Sequence, residues 1–250
     1  MAEAASLAAG TAHVWWARRR DAAPGHLALL DEAERRRYAA YRRDPDRERF
    51  LAGCALAKAV LARYTARRPA EISFDRTCRA CGRPHGKPAL TGASGLQHSV
   101  AHSGDRVAVA VAHAPVGVDV EQVDGRPRPP GGGGGPDALA RLVLADAERA
   151  ALAAAPRPAR ARAFLVAWTR KEAVTKAAGD GLRARFREVV VAADGGTPRL
   201  LAWPYPQPPG GVSVHDLDPG PGYVAALAVV GRCDAVREDD GSALLAALLR

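Results

Sequence analysis

The stretch Gly117-Val118-Asp119-Val120-Glu121 alternates small or apolar residues with acidic ones at the two-residue period of a β-strand. Asp119 and Glu121 therefore project to one face, and Val118 and Val120 go to the core. By spacing alone this is first the pattern of an ordinary strand with one wet face, and only second a paired hard-oxygen site. Working outward, β-type runs at Ile72-Ser73-Phe74, Val107 to Val111 and Val116 to Val123 follow two helical segments. One helix runs from Asp31 to about Arg43. The other opens at Asp44-Pro45, a capping side chain followed by proline, and stops at Arg67-Arg68-Pro69. Pro127 to Asp137, rich in proline and with five successive glycines, predicts a mobile surface loop. Beyond it the order repeats. Helices at about Asp137 to Leu144, Asp146 to Ala154 and Ala159 to Ala178 precede apolar runs at Phe186 to Ala192, Arg199 to Trp203, Val212 to Leu217 and Tyr223 to Val230. The pattern predicts an α+β fold in two halves, residues 1–114 and 115–250, with 127–137 as a flexible loop and Ser242 to Arg250 as a short helix or frayed tail.

At 250 residues the chain can bury a substantial core, and a hydrophobic fraction of 48% with 25% charged residues excludes wholesale disorder. The net charge of +9 favours an acidic partner: nucleic acid, an anionic membrane, a phosphorylated ligand or an acidic protein. There is no run of 18 apolar residues, and Met1-Ala-Glu-Ala-Ala-Ser lacks the basic and apolar stretches of a signal peptide, so a cytoplasmic protein is expected. Four cysteines are too few for a disulfide scaffold. Cys78-Arg79-Ala80-Cys81 with His85 suggests zinc, but a closed zinc site needs four ligands, and reduced thiols in a loop are the reading the spacing favours. Among the 36 basic residues 32 are arginine, so the four lysines, Lys58, Lys87, Lys171 and Lys176, each invite a reason.

Two further segments carry chemistry. Trp168-Thr169-Arg170-Lys171-Glu172-Ala173-Val174-Thr175-Lys176 lies on a helix ending at Gly179; its Glu172 and Lys176, four apart, share a face, while Phe164, Leu165 and Trp168 supply the apolar side. Taken singly, that pair reads as a surface ion pair. Cys81-Gly82-Arg83-Pro84-His85-Gly86-Lys87-Pro88 is a stiff loop presenting one lysine, and Ala101-His102-Ser103-Gly104 follows it. Glycine loops let backbone N–H groups approach phosphate, and lysine adds a point charge. Together the segments hold the parts for Mg²⁺-assisted chemistry on a diphosphate.

In order and spacing these segments resemble the 4'-phosphopantetheinyl transferases, in the longer Sfp-type. Gly117 to Glu121 matches G-x-D-x-E, Trp168 to Lys176 matches W-x-x-K-E-A-x-x-K, Gly86-Lys87-Pro88 matches G-K-P, and His102-Ser103-Gly104 matches the end of F-N-x-S-H-S-G. The resemblance implies two pseudo-symmetric halves, each a small, mostly antiparallel sheet with packed helices, in a monomer with the site in the cleft between them. It also implies transfer of 4'-phosphopantetheine from coenzyme A to a serine of an apo acyl or peptidyl carrier protein, releasing adenosine 3',5'-bisphosphate, an activity of the EC 2.7.8.7 type. Carried over residue by residue, Asp119, Glu121 and Glu172 hold Mg²⁺, or Mn²⁺ in its place. Glu172 is the base for the serine and Lys176 serves the leaving phosphate. Lys87, His102, Arg37 and Arg49 fall where the family contacts coenzyme A, with Arg36, Arg42, Arg43 and Arg47 as substitutes on the same arginine-rich helices. Three of the four lysines then lie inside motifs that bind or act on phosphate. Ala101, where the family often has serine, removes one expected hydroxyl contact, and His98 and Ser99 replace the family's Phe-Asn without touching the charges.

Two other readings stand beside this one. A basic nucleic-acid-binding protein would also explain the charge, but aromatics are only 5% and no known nucleic-acid-binding motif is present. A coenzyme A-binding family member without turnover is the other. The resemblance favours the enzyme, with no nucleic acid or membrane as partner.

Overall fold

Asp31 is followed at the third position by Glu34, and the two close a capping box. The Asp31 carboxylate accepts from the Glu34 N–H at 2.8 Å, and that of Glu34 from the Asp31 N–H at 2.9 Å. This starts α1 (Glu32–Ala40). Proline in the first turn, where its missing N–H costs nothing, starts α2 (Asp44–Thr65), although the N-cap is Arg43 and not Asp44. Asp44 instead pairs with Arg47 one turn on. The computed structural model describes residues 5–78, 81–92, 95–123, 136–179, 185–192, 197–204 and 211–249. It forms two units, residues 1–115 with 233–250, and residues 116–232.

In the first unit, β1 (Thr11–Arg18), β4 (Gln97–Ser103), β5 (Arg106–Ala112) and β11 (Ala235–Asp240) make one sheet in the order β11-β1-β5-β4. Pairing is antiparallel except for β11, which lies parallel to β1 from Thr11↔Ala235 to Trp16↔Asp240. Two short strands, β2 (Phe74–Asp75) and β3 (Ala89–Leu90), pair separately. The helix α2 buries Ala52, Leu56, Val60 and Leu61 with Trp15, Val107 and Val109 of the sheet, and α6 (Ser242–Ala247) adds Leu245. The division expected after residue 114 is therefore crossed again at 233. Backbone pairing to β1 carries the C-terminal segment, assigned by sequence to the second half, into the first unit.

Lys58 is fully buried on α2. It donates to the Ile72 carbonyl at 3.0 Å and lies 3.2 Å from Glu34, which is also buried and paired at 2.6 Å with Arg76. One carboxylate thus ties α1 to α2 and to the strand region beyond them. Because the charges are desolvated, each is tolerable only while the others are present.

The second unit contains β6 (Val116–Gln122), α3 (Pro136–Val143), α4 (Asp146–Ala154), α5 (Arg157–Ala178), β7 (Val190–Val191), β8 (Leu200–Ala202), β9 (Val212–Leu217) and β10 (Tyr223–Val230). An antiparallel sheet of order β6-β10-β9 carries α5 on one face. The core holds Leu139, Leu144, Phe164, Leu165, Val174, Val189 and Val214, with Trp168 stacked between Phe164 and Phe186 at 6.4 and 5.4 Å. Gly179 ends α5 at φ 89°, its N–H returning to the Thr175 and Lys176 carbonyls. Of the run from Phe186 to Ala192 only Val190 and Val191 form a strand. The Pro/Gly loop expected at 127–137 lies outside the described residues as far as 135, and Pro136 and Asp137 already belong to α3. Among the described residues, no helix is long and apolar enough to cross a membrane.

Candidate active site

Gly117 decides how closely strand and helix approach. A Cβ there would stand 2.0 Å from the Ala173 carbonyl oxygen and 2.5 Å from the Ala177 nitrogen, both backbone atoms of α5. The helix therefore lies on the face of β6 that also carries Asp119 and Glu121. Sequence alternation put the acids opposite the core, on a wet face. The structure instead places Asp119 under α5 at 6% exposure, so the reading as an ordinary exposed strand does not hold. A Gly117→Ala substitution is expected to cost about 1–3 kcal/mol by overpacking. It should lower the midpoint of thermal unfolding by roughly 2–4 °C per kcal/mol, and an unchanged midpoint would show that the contact is slack.

From α5, one turn apart, Glu172 and Lys176 reach the same region. The Lys176 ammonium donates to Asp119 Oδ1 at 2.6 Å and to the Val118 carbonyl at 3.1 Å. Asp119 Oδ2 is buried and accepts no hydrogen bond. Burial raises the Asp119 pKa above the ordinary carboxylate value, and Lys176 offsets only part of that. Burial likewise pushes Glu172 up to about 7. The ammonium of Lys176 opposes that rise, and repulsion from Asp119 and Glu121 adds to it. For Lys176, burial alone would lower the pKa, but the carboxylates of Asp119 and Glu172 outweigh it and the ammonium is held above its ordinary value. Three carboxylates thus face one cation. The oxygens of Asp119, Glu121 and Glu172 do not all lie within 4.8 Å of one another.

Those features fit a divalent metal with hard-oxygen preference. The donors are carboxylates, their charge exceeds that of the single ammonium, and Asp119 Oδ2 is buried with its lone pairs unused. Both neighbours in the lysine motif turn elsewhere. Arg170 bridges to Asp216 and the Ala192 carbonyl, and Lys171, fully buried, donates to the Val143 and Phe186 carbonyls and pairs with Glu148 at 2.5 Å. Lys171 is thus a core cation and not a phosphate ligand. The Val118 carbonyl was invisible in the sequence, because motifs name side chains.

Within the first unit, Arg49 on α2 donates to the Gly104 carbonyl at 2.9 Å, in the turn between β4 and β5. One turn along α2, Gly53 would place a Cβ 3.9 Å from the His102 ring, so Arg49 and the His102-Ser103-Gly104 turn are brought together. His102 itself is exposed on β4. Arg37 lies over the Phe50 ring at 5.4 Å, next to Arg49 in sequence. Burial, with Lys87 and Arg76 adding positive charge, pushes the pKa of His98 down to about 3. Lys87 therefore lies within electrostatic reach of the strand that carries His102.

Residues 115–228 match the profile of the 4'-phosphopantetheinyl transferase superfamily. The chain is 30% identical over 193 residues to the 4'-phosphopantetheinyl transferase HetI of Nostoc sp., covering 74% of this chain and 72% of that protein. It is 29% identical over 170 residues to slr0495 of Synechocystis sp., a protein provisionally named as such a transferase, covering 67% of this chain and 64% of the other. The matched span holds Asp119, Glu121, Glu172 and Lys176, and with this coverage the chain belongs to the 4'-phosphopantetheinyl transferase family.

Proposed function

We propose that this protein is an Sfp-type transferase that moves 4'-phosphopantetheine from coenzyme A to a serine of an apo acyl or peptidyl carrier protein. The observation that carries the reading is the group of Asp119, Glu121, Glu172 and Lys176 where α5 crosses β6. Asp119, Glu121 and Glu172 would hold Mg²⁺, or Mn²⁺ in its place. Bound there, such an ion supplies a Lewis acid that offsets charge on the diphosphate oxygens.

The protein's own groups do the rest. Glu172 takes the serine proton, directly or through one water. The serine Oγ forms a bond to the phosphorus that carries pantetheine. The bridging P–O bond breaks, and its electron pair stays on the oxygen of adenosine 3',5'-bisphosphate. Lys176 donates to that departing oxygen. Lys87, His102, Arg37 and Arg49 are assigned to the coenzyme A phosphates. The build of each unit, one 22-residue helix against a mostly antiparallel sheet, supports reading them as related halves.

Intact-mass analysis of apo carrier proteins incubated with enzyme, coenzyme A and Mg²⁺ tests the proposal. A gain of one phosphopantetheine, abolished by a chelator and restored by added Mg²⁺, is expected. An unchanged mass across fatty-acid, polyketide and nonribosomal-peptide carrier proteins overturns it.

A further inference from the structure

The C-x-x-C segment lacks four ligands in sequence, yet the fold gathers three. Ligand atoms of Cys78, Cys81 and His85 all lie within 4.8 Å of one another, the only such group among the described residues. Cys81 Sγ is 3.0 Å from His85 Nε2. Neither cysteine is in a disulfide.

The backbone makes this a built site and not a chance approach of side chains. The Cys78 carbonyl accepts from the N–H groups of both Cys81, at 3.3 Å, and Gly82, at 2.8 Å. The Cys78 N–H donates to the Arg83 carbonyl at 2.8 Å. Gly82 takes φ 70°, which lets the chain turn sharply after the second thiol. Gly86 closes the far end: its N–H donates to Arg76 at 2.7 Å, and a Cβ on it would stand 2.6 Å from the Thr77 carbonyl oxygen. His85, immediately before Gly86, is thereby held against the two cysteines. Cys78 is buried, and Cys81 and His85 are exposed, so the three donors form the rim of a shallow site with one side open to solvent.

We propose that Cys78, Cys81 and His85 bind one Zn²⁺, with water as the fourth ligand. A tetrahedral ion with bonds of about 2.3 Å to sulfur and 2.0–2.1 Å to nitrogen sets those two atoms about 3.6 Å apart, so Cys81 and His85, at 3.0 Å, need to part by about 0.6 Å to admit it. Two thiolates and an imidazole select zinc over magnesium, as the carboxylates near Lys176 do not. Lys87 follows His85 by two residues, so the bound ion fixes the loop that presents it. On the proposed function, that positions a coenzyme A phosphate contact.

Titration of the full-length, metal-stripped, reduced protein with Co²⁺ tests the site, because thiolate–cobalt charge transfer reports sulfur ligation directly and oxygen ligands do not produce it. One equivalent of cobalt giving that band, and displaced by Zn²⁺, is expected. Zinc should also slow alkylation of the exposed Cys81. Both C81S and H85Q should weaken cobalt binding by about 100-fold or more, and E172Q should not change it. Because Cys81 and His85 are exposed, circular dichroism of these variants should match the parent. No sulfur band, or the same titration in C81S and H85Q as in the parent, overturns the inference. If carrier-protein modification persists while cobalt fails to bind, only the zinc site is lost and the transferase reading stands.

Discussion

Glu172→Gln is expected to lower the rate of carrier-protein modification by about 10³-fold while raising the midpoint of thermal unfolding at pH 8 in metal-free buffer. The two effects share a cause. In the folded protein the Glu172 pKa is raised to about 7 from an ordinary 4.5, chiefly by burial, with Lys176 opposing and Asp119 and Glu121 adding to the rise. A pKa raised on folding means that the folded state holds the proton more tightly. The resulting stabilisation is fully present below pH 4.5 and is lost as pH rises to about 7, to the extent of about 3 kcal/mol. At pH 8 the wild-type protein therefore carries an ionised, desolvated glutamate that glutamine removes. Mg²⁺ should raise the wild-type midpoint more than that of Glu172→Gln, since a ligand stabilises only the state that binds it. Calorimetry with and without Mg²⁺, beside intact-mass kinetics, checks all three outcomes. A rate within tenfold of wild type would remove Glu172 from the chemistry, and a lowered midpoint at pH 8 would make it a structural residue.

How much of this was legible in the sequence depended on whether the signal lay in side-chain order or in backbone pairing. Alternation in β6 placed Asp119 and Glu121 together, but alternation is symmetric about the strand and does not say which face a helix covers. The one hint was Gly117, a residue without a Cβ in the middle of a strand, where close approach of another backbone is a known reason. The β11 segment, Ala-Val-Arg-Glu-Asp-Asp, is charged and mostly exposed, as suits an edge strand, so it carries no apolar pattern. Its pairing to β1 runs through peptide groups that every sequence has. The same limit applied to Glu34. It reads as one more polar residue on an arginine-rich helix, yet it is buried because Arg76, 42 positions later, comes to meet it. Lysine scarcity pointed to Lys87, Lys171 and Lys176 as phosphate groups. Burial of Lys58 and Lys171 shows a second reason to prefer lysine to arginine: a compact ammonium fits a closed pocket of two or three oxygen acceptors that a planar guanidinium would overfill.

Lys171→Met is expected to cost about 3–5 kcal/mol of stability and to leave turnover of the remaining folded protein of the same order as wild type. Lys171 has no exposed surface, and its three N–H donors meet three acceptors: the carbonyls of Val143 and Phe186 at 2.7 and 2.9 Å, and Glu148 at 2.5 Å. Glu148, also buried, accepts in addition from the N–H groups of Ala145 and Val191 at 2.7 and 3.0 Å. This pair therefore joins the end of α3 and the start of α4 to α5 and to the segment entering β7. Burial lowers the Lys171 pKa and Glu148 holds it back up, so the ammonium exists there because of its partner. Methionine fills the volume but leaves the Glu148 charge and two carbonyls without their donor, and the unfolding midpoint should fall by roughly 10 °C. Adding Glu148→Gln should recover part of the loss, with a coupling of about 0.5–3 kcal/mol in the double-mutant cycle, because the stranded charge is gone. One residue further along the helix, Glu172 should show the opposite pattern, with rate lost and stability at pH 8 gained. If Lys171→Met instead removed turnover at an unchanged midpoint, the ammonium would have to face phosphate, and its bonds to Val143, Phe186 and Glu148 could not describe the working enzyme.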